Sequence, residues 1–446
     1  MSNKTSKGFL LTIAALTLFN LIVGLVVLSL GSRELTGDQV QYNQLAVNLV
    51  EQGTFSLQTD APYQPTVYRT PGYPVFLATL YKISSNSVLF VQIVQYFLVG
   101  IIAWLVFALA KEFTDEKHAK ITAILFLTYL PFLFLASMIV TEVISTLLCI
   151  SIILILKKYR WMNNNKIIWD IVLGLILGCL AIIRPSTALL VFPIVAILWG
   201  LKWRGKIQLS ATKVFVKSAI LGLGILVVFT PWIIRNYIIT NKFIPMTVMT
   251  SSETLFYSLW QYEGIITYAF SQQEWQTVYF PDLFRRYREV DEQMNKGEIP
   301  ANLANLPPTI QKEFLLEQNF KQSINEELRK IKVSTILKSS PKRFAYLWGT
   351  ADYAPLDIYN GFLHRLGQLQ YLILFGLIIL GIFLGYRQLS DQWMLWLLPF
   401  YLTAIHFIFL VEGRYTLPAR PLLLIYCSIA IVWLWNRFVK KGESIS

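Results

Sequence analysis

Three carboxylates, Asp38, Glu142 and Glu412, and four arginines, Arg69, Arg184, Arg235 and Arg414, sit at the ends of apolar runs or in the polar stretch between the first two. Charges at a membrane boundary are costly, so each is a functional candidate. Guanidinium forks match phosphate oxygens, stay ionised and tolerate partial burial. A carboxylate beside them can take a proton from an acceptor hydroxyl as a phosphate departs. Together these parts describe glycosyl transfer from a polyprenyl-phosphate sugar. Asn236 and Tyr415 adjoin the arginines in PWIIRNY and VEGRYTLP, and Tyr42, Tyr68 and Tyr73 are candidate walls for a sugar site. Tyrosine is equally an interface anchor.

Local roles compete with each assignment. Asp38 is a good N-cap for a helix over 39–50, and any single arginine can snorkel or pair with a carboxylate. Glu412 and Arg414 can be a structural pair, and Glu142 can satisfy amides at a helix start. Such roles do not explain why all these charges fall on one side once the topology is drawn.

That topology starts from composition. The 446 residues are 55% hydrophobic and 15% charged, which marks an integral membrane protein. The net charge of +13 sits mostly in short loops between apolar runs, which argues against a nucleic-acid partner and for the positive-inside pattern. Cys149, Cys179 and Cys427 lie inside apolar runs and read as packing residues, and His118, His364 and His406 offer no zinc spacing.

The pattern predicts an all-α polytopic protein with about ten transmembrane helices. The spans are 8–30, 87–110, 121–139, 141–156, 167–183, 186–201, 218–239, 367–386, 393–411 and 416–436. The first reads as an uncleaved anchor. Eighteen basic residues, from Lys4 and Lys7 through four in 157–166 and five in 202–217 to Lys440 and Lys441, fall on one side. Both termini are therefore expected in the cytoplasm, and the loop 31–82 and the insertion 240–365 on the outer side. In the loop, LAVNLVEQGTF predicts a short interfacial helix that Gly53 ends. The insertion is expected to be mostly helical, with a basic amphipathic helix over 323–345. The expected divisions are a catalytic membrane module at 1–239, the insertion, C-terminal spans at 366–436 and a cytoplasmic tail at 437–446.

The order GDxxxY, LAxNLxxxGxF, YRTPGYPxFLA, TE opening a span, RP, PWxxRN and ExRYxLPxxP resembles the bacterial GT-C membrane glycosyltransferases. It is closest to the branch of dolichyl-phosphate-mannose–protein mannosyltransferases and lipid A aminoarabinose transferases, and it runs over about 1–436. The resemblance implies a GT-C fold, Asp38 as general base, a polyprenyl-phosphate sugar donor and inversion at the anomeric centre. It makes Arg235 and Arg414 phosphate-side residues, with Arg69 and Arg184 beside them. The protein mannosyltransferases follow the loop acid with glutamate, whereas Gln39 follows Asp38 here, which weakens any transfer of acceptor specificity. Some GT-C enzymes use a divalent metal and others none; Asp38 with Glu142 is the candidate pair.

The expected setting is the bacterial plasma membrane, with the active site outside and a protein, lipid or polysaccharide acceptor. A flippase for lipid-linked saccharides should instead carry charges along a central cavity between repeated halves, and neither feature is visible. An O-antigen ligase or polymerase, using a lipid-pyrophosphate glycan, is the enzymatic alternative. A lipid-binding scaffold is the non-catalytic one.

Overall fold

A computed structural model describes residues 7–30, 35–265, 280–349, 362–388 and 392–439, and these are helical with connecting turns. The expectations for Lys4, Lys440 and Lys441 fall outside the described residues.

The chain opens with α1 (Lys7–Leu30), then α2 (Asp38–Glu51) and α3 (Gly72–Ser84) in the first loop, then α4 (Val88–Ala110). Helices α5 (Glu116–Leu127) and α6 (Leu130–Ala136) form a pair bent by 53°, where one straight span over 121–139 was expected. Next come α7 (Glu142–Lys158), α8 (Ile167–Ile183), α9 (Val191–Trp203) and the 30-residue α10 (Ala211–Thr240). The insertion supplies α11 (Thr250–Glu263), α12 (Phe280–Asn295), α13 (Pro308–Lys330) and α14 (Val333–Gly349). Helices α15 (Phe362–Leu384), α16 (Trp393–Ile408) and α17 (Arg420–Leu434) complete the bundle, with a 3-10 turn over Gly413–Ala419 before the last.

Starts are set by local chemistry. Ser87, Asp115 and Ser210 accept hydrogen bonds from the amides three residues on, capping α4, α5 and α10. Arg184 is extended and Pro185 opens a 3-10 segment, so 167–201 is two helices, as the charge parity required. Helix α3 was not expected. Pro71 and Pro74 read as loop punctuation, yet the first turn of a helix tolerates proline because its amides lack partners there anyway. The basic helix expected over 323–345 is two helices, broken where Ile331 turns extended.

Among the described residues six helices are long and apolar enough to cross a membrane, or seven if the bent pair is one span. Each of the ten expected spans coincides with a helix, but α8 and α16 are shorter apolar helices and α7 is 17 residues long. Close packing relies on small residues: a Cβ on Gly224 of α10 would lie 2.8 Å from the Cα of Gly174 on α8.

A separate apolar core joins the first loop to the insertion. Val67 and Tyr68 pack with Met249, Phe256, Leu316 and Phe320. The two long polar segments therefore lie at the same end of the bundle, as the parity of spans required.

Candidate active site

Gly37, at φ +56°, turns the chain into α2 and places Asp38 in its first turn. The N-cap position is Gly37, so Asp38 is the first helical residue rather than the cap. Its side chain faces two guanidiniums. Oδ1 lies 2.6 Å from Arg69 Nη2 and Oδ2 lies 3.0 Å from Arg414 Nη2. Arg69, just before α3, also donates from Nε to Gln41 Oε1 at 2.7 Å and lies over the rings of Tyr68 and Tyr42. Arg414, on the 3-10 turn, donates from Nε to Glu412 Oε2 at 2.6 Å, and the Tyr415 hydroxyl donates to Glu412 Oε1 at 3.0 Å. Burial pushes the Asp38 carboxyl up, but the fields and hydrogen bonds of Arg69 and Arg414 outweigh it and hold the group well below the usual carboxylate range.

A second ion pair lies in the same cavity. Glu142 opens α7 and is 2% exposed. Its Oε1 is 3.4 Å from Nη1 of Arg184, the residue at the break after α8. The Arg184 guanidinium lies 5.5 Å from the Tyr415 ring centroid. A cavity of about 390 Å³ is lined by Asp38, Arg69, Glu142, Arg184, Arg414 and Tyr415, together with Tyr42, Tyr68 and His406. Its walls come from the first loop, from the start of α7, from residues 183–189 between α8 and α9, from residues 246–254 and from residues 405–415. A division at 239 does not separate the site.

Four of the expected site residues do not line this cavity. Glu412 stands behind Arg414 and Tyr415. Tyr73 is fully buried, donating to Gln95 Oε1 at 3.1 Å, with its ring edge-on to Tyr42. Arg235 donates to the carbonyl of Thr66 at 2.8 Å and to Asn236 Oδ1 at 2.9 Å, with its guanidinium 4.7 Å from the Trp232 ring centroid. Asn236 donates to the Ile244 carbonyl at 3.0 Å. Arg235 ties the middle of the first loop to α10, and Asn236 ties the start of the insertion to it.

Both oxygens of Asp38 are in ion pairs and Glu142 faces Arg184. Among the described residues no group of three His, Cys, Asp or Glu side chains is placed to hold a metal.

Sequence reasoning missed several polar residues. Glu313, on α13, accepts from the Val67 amide and the Thr66 hydroxyl. Arg343, on α14 and with no exposed surface, donates to the carbonyls of Phe409 at 2.8 Å and His406 at 3.1 Å. Arg420 donates to the Gly413 carbonyl at 3.0 Å and the Tyr129 hydroxyl at 2.7 Å, holding the turn that carries Arg414. Only Arg420 had a signal, its place at the end of the TLPARP run.

The apolar helices make this an integral membrane protein, and its fold is similar to the GT-C fold of the solved structures described below. Residues 68–234 match the family model described as dolichyl-phosphate-mannose-protein mannosyltransferase, so the resemblance drawn from the motifs is upheld over that stretch. Among curated proteins no sequence matches the chain. The archaeal oligosaccharyltransferase AglB of Archaeoglobus fulgidus, in complex with an inhibitory peptide and a dolichol-phosphate, superposes with a TM-score of 0.50 at 11% identity over 96% of this chain. An Archaeoglobus fulgidus oligosaccharyltransferase in the apo form gives 0.52 at 10% identity over 97%. The chain spans about half the length of these proteins, 52% and 51%. ArnT from Cupriavidus metallidurans bound to undecaprenyl phosphate gives a TM-score of 0.44 at 13% identity, covering 97% of this chain and 80% of that one.

Proposed function

We propose that the protein is a membrane glycosyltransferase that moves a sugar from a polyprenyl-phosphate donor to an acceptor hydroxyl, with inversion. The observation that carries this reading is Asp38 held between Arg69 and Arg414, residues from opposite ends of the chain, in a cavity of about 390 Å³. Dolichol-phosphate on the archaeal oligosaccharyltransferase supports a lipid-phosphate ligand for this fold, and the family match supports a lipid-phosphate sugar.

A carboxylate clamped by two guanidiniums is a weak base. In this mechanism the donor phosphate draws Arg414 onto its oxygens, and Asp38 regains basicity once that partner is gone. The acceptor oxygen then attacks the anomeric carbon from the face opposite the phosphate. The bond from that carbon to the phosphate oxygen breaks, and its electrons leave with the lipid phosphate, whose charge Arg414 and Arg69 stabilise. The acceptor proton goes to Asp38.

The reading places the site on the outer face of a bacterial plasma membrane, with both termini in the cytoplasm and the insertion shaping the acceptor cleft. The acceptor is a hydroxyl of a protein, a lipid or an envelope polysaccharide. Purified protein and the Asp38→Asn variant, each given radiolabelled polyprenyl-phosphate sugars and membrane extract, test it. Transfer by the wild type that collapses in the variant while donor binding survives is the expected result. Binding without transfer by either protein points to a transporter, and equal transfer by both removes Asp38 as the base.

A further inference from the structure

The residues just before Arg69 are held by the insertion. Thr66 and Val67 have no exposed surface, and Tyr68 is buried beside them. The Val67 carbonyl accepts from the Val248 amide at 3.0 Å, and the Tyr68 carbonyl accepts from the Thr250 hydroxyl at 2.6 Å. Glu253, in the first turn of α11 and itself buried, accepts from the Tyr68 hydroxyl at 3.1 Å. Burial and the Glu253 carboxylate push that hydroxyl well above its ordinary value, so it keeps its proton and donates.

The turn that delivers these groups is strained. The Thr250 amide donates to the Val248 carbonyl at 2.9 Å, closing a three-residue turn around Met249 at φ +72° and ψ −52°. This is the rare form of such a turn, and a residue with a side chain adopts it only at a cost. Strain of this kind persists where the surroundings over-determine a geometry, and it gathers at functional sites. Here it sets Thr250 and Glu253 on Tyr68.

Tyr68 passes the constraint on. The Arg69 guanidinium lies 5.0 Å from the Tyr68 ring centroid, and its Nη2 is 2.6 Å from Asp38 Oδ1. A ring pinned at its hydroxyl gives the guanidinium a fixed surface to rest on. We propose that Glu253 is a positioning residue of the phosphate clamp. It anchors Tyr68, and through that ring it holds Arg69 where it meets Asp38 and the donor phosphate. This rests on the lipid-phosphate reading above. Glu253 lies beyond residues 68–234, the stretch that the family model matches, so the insertion takes part in setting the geometry of the site.

The test measures the affinity and the number of sites for undecaprenyl phosphate, using the full-length protein in lipid nanodiscs. Wild type is compared with Tyr68→Phe, Glu253→Ala, Glu253→Gln, Arg69→Met and the double variant Arg69→Met with Glu253→Ala. Tyr68→Phe keeps the ring and removes the anchoring bond alone. It and Glu253→Ala should each weaken binding roughly tenfold with the number of sites unchanged. Glu253→Gln keeps an acceptor for the hydroxyl and should recover most of that loss. Without Arg69 the anchor has nothing to position, so the double variant should bind no more weakly than Arg69→Met alone. A merely structural Glu253 would instead lower the number of sites at unchanged affinity, or weaken Arg69→Met as much as it weakens wild type. Either result overturns the proposal. Unchanged affinity in Tyr68→Phe overturns it too, and weak binding by Arg69→Met then leaves the lipid-phosphate reading intact. A wild type that binds no undecaprenyl phosphate removes that reading and the positioning role with it.

Discussion

Glu313, on the insertion, accepts a hydrogen bond at 2.9 Å from the amide of Val67, two residues before Arg69 in the first loop. Its other oxygen takes the Thr66 hydroxyl. Burial pushes the Glu313 carboxyl up to about 7, against the lowering effect of those two bonds and of Arg235. An acid whose folded value lies above its unfolded one binds more protons when folded. Its contribution is therefore full below about pH 4.5 and lost as pH rises through about 7. The stability of the purified protein should fall between those limits by up to roughly 3 kcal/mol from this group. The measurement is the thermal midpoint at pH 5 and pH 8 for wild type and Glu313→Gln, and the variant should show the smaller difference. An unchanged slope would assign the pH dependence to other groups.

Arg235 was expected beside the donor phosphate, and it instead reaches the carbonyls of Thr66, at 2.8 Å, and Phe55, at 3.4 Å. Arg235→Gln should therefore lower stability by roughly 1–3 kcal/mol, because a buried carbonyl loses its donor. Affinity for undecaprenyl phosphate should stay within about threefold of wild type. A large loss of affinity with no loss of stability would return Arg235 to the phosphate.

Much of this arrangement was legible because membrane burial makes charges rare. With so few of them, the ends of the apolar runs and the polar stretch between the first two singled out Asp38, Arg69, Glu142, Arg184 and Arg414, which line one cavity, along with Arg235 and Glu412, which do not. The sequence did not separate the arginines that face a ligand from those that face carbonyls. PWIIRNY and VEGRYTLP both place arginine at a span end, and only the tertiary path of residues 55–66 decides that Arg235 meets backbone. Glu313 and Arg343 lay in a long polar insertion rich in charges, where no local pattern marks the buried ones.

A buried pair serves a different end of the chain's architecture. Lys217 of α10 lies 2.5 Å from Asp170 of α8, each side chain 5% exposed, and Trp161 donates to the same oxygen at 2.6 Å. Removing one partner strands the other charge. Asp170→Asn should cost roughly 3–5 kcal/mol, seen as a lower thermal midpoint. Glycosyl transfer per folded molecule should be unchanged, because no member of this group lines the cavity. The double variant Asp170→Leu with Lys217→Met should recover much of the stability, and a double variant no better than the single would mean the pair's worth lies in more than matched burial.

Arg414 joins Asp38 to Glu412 through different nitrogens, Nη2 at 3.0 Å and Nε at 2.6 Å. Lysine keeps the charge but not the fork, so it cannot hold both carboxylates in this geometry. Arg414→Lys should lower kcat/KM by roughly 100-fold, since it loses a bidentate partner for the leaving phosphate. The pH profile separates this role from a merely structural one. In the free protein Asp38 is ionised across the working range, because its carboxyl lies well below ordinary values. The wild-type kcat/KM should therefore show no acid limb from Asp38 above about pH 5. With Arg414 replaced by methionine one of the two clamping charges is gone, and the Asp38 carboxyl should rise towards the ordinary range, so that an acid limb appears as pH falls. A profile in Arg414→Met identical in shape to that of the wild type would mean that Arg414 does not govern the basicity of Asp38, and the partner exchange assigned to the donor phosphate would fail with it.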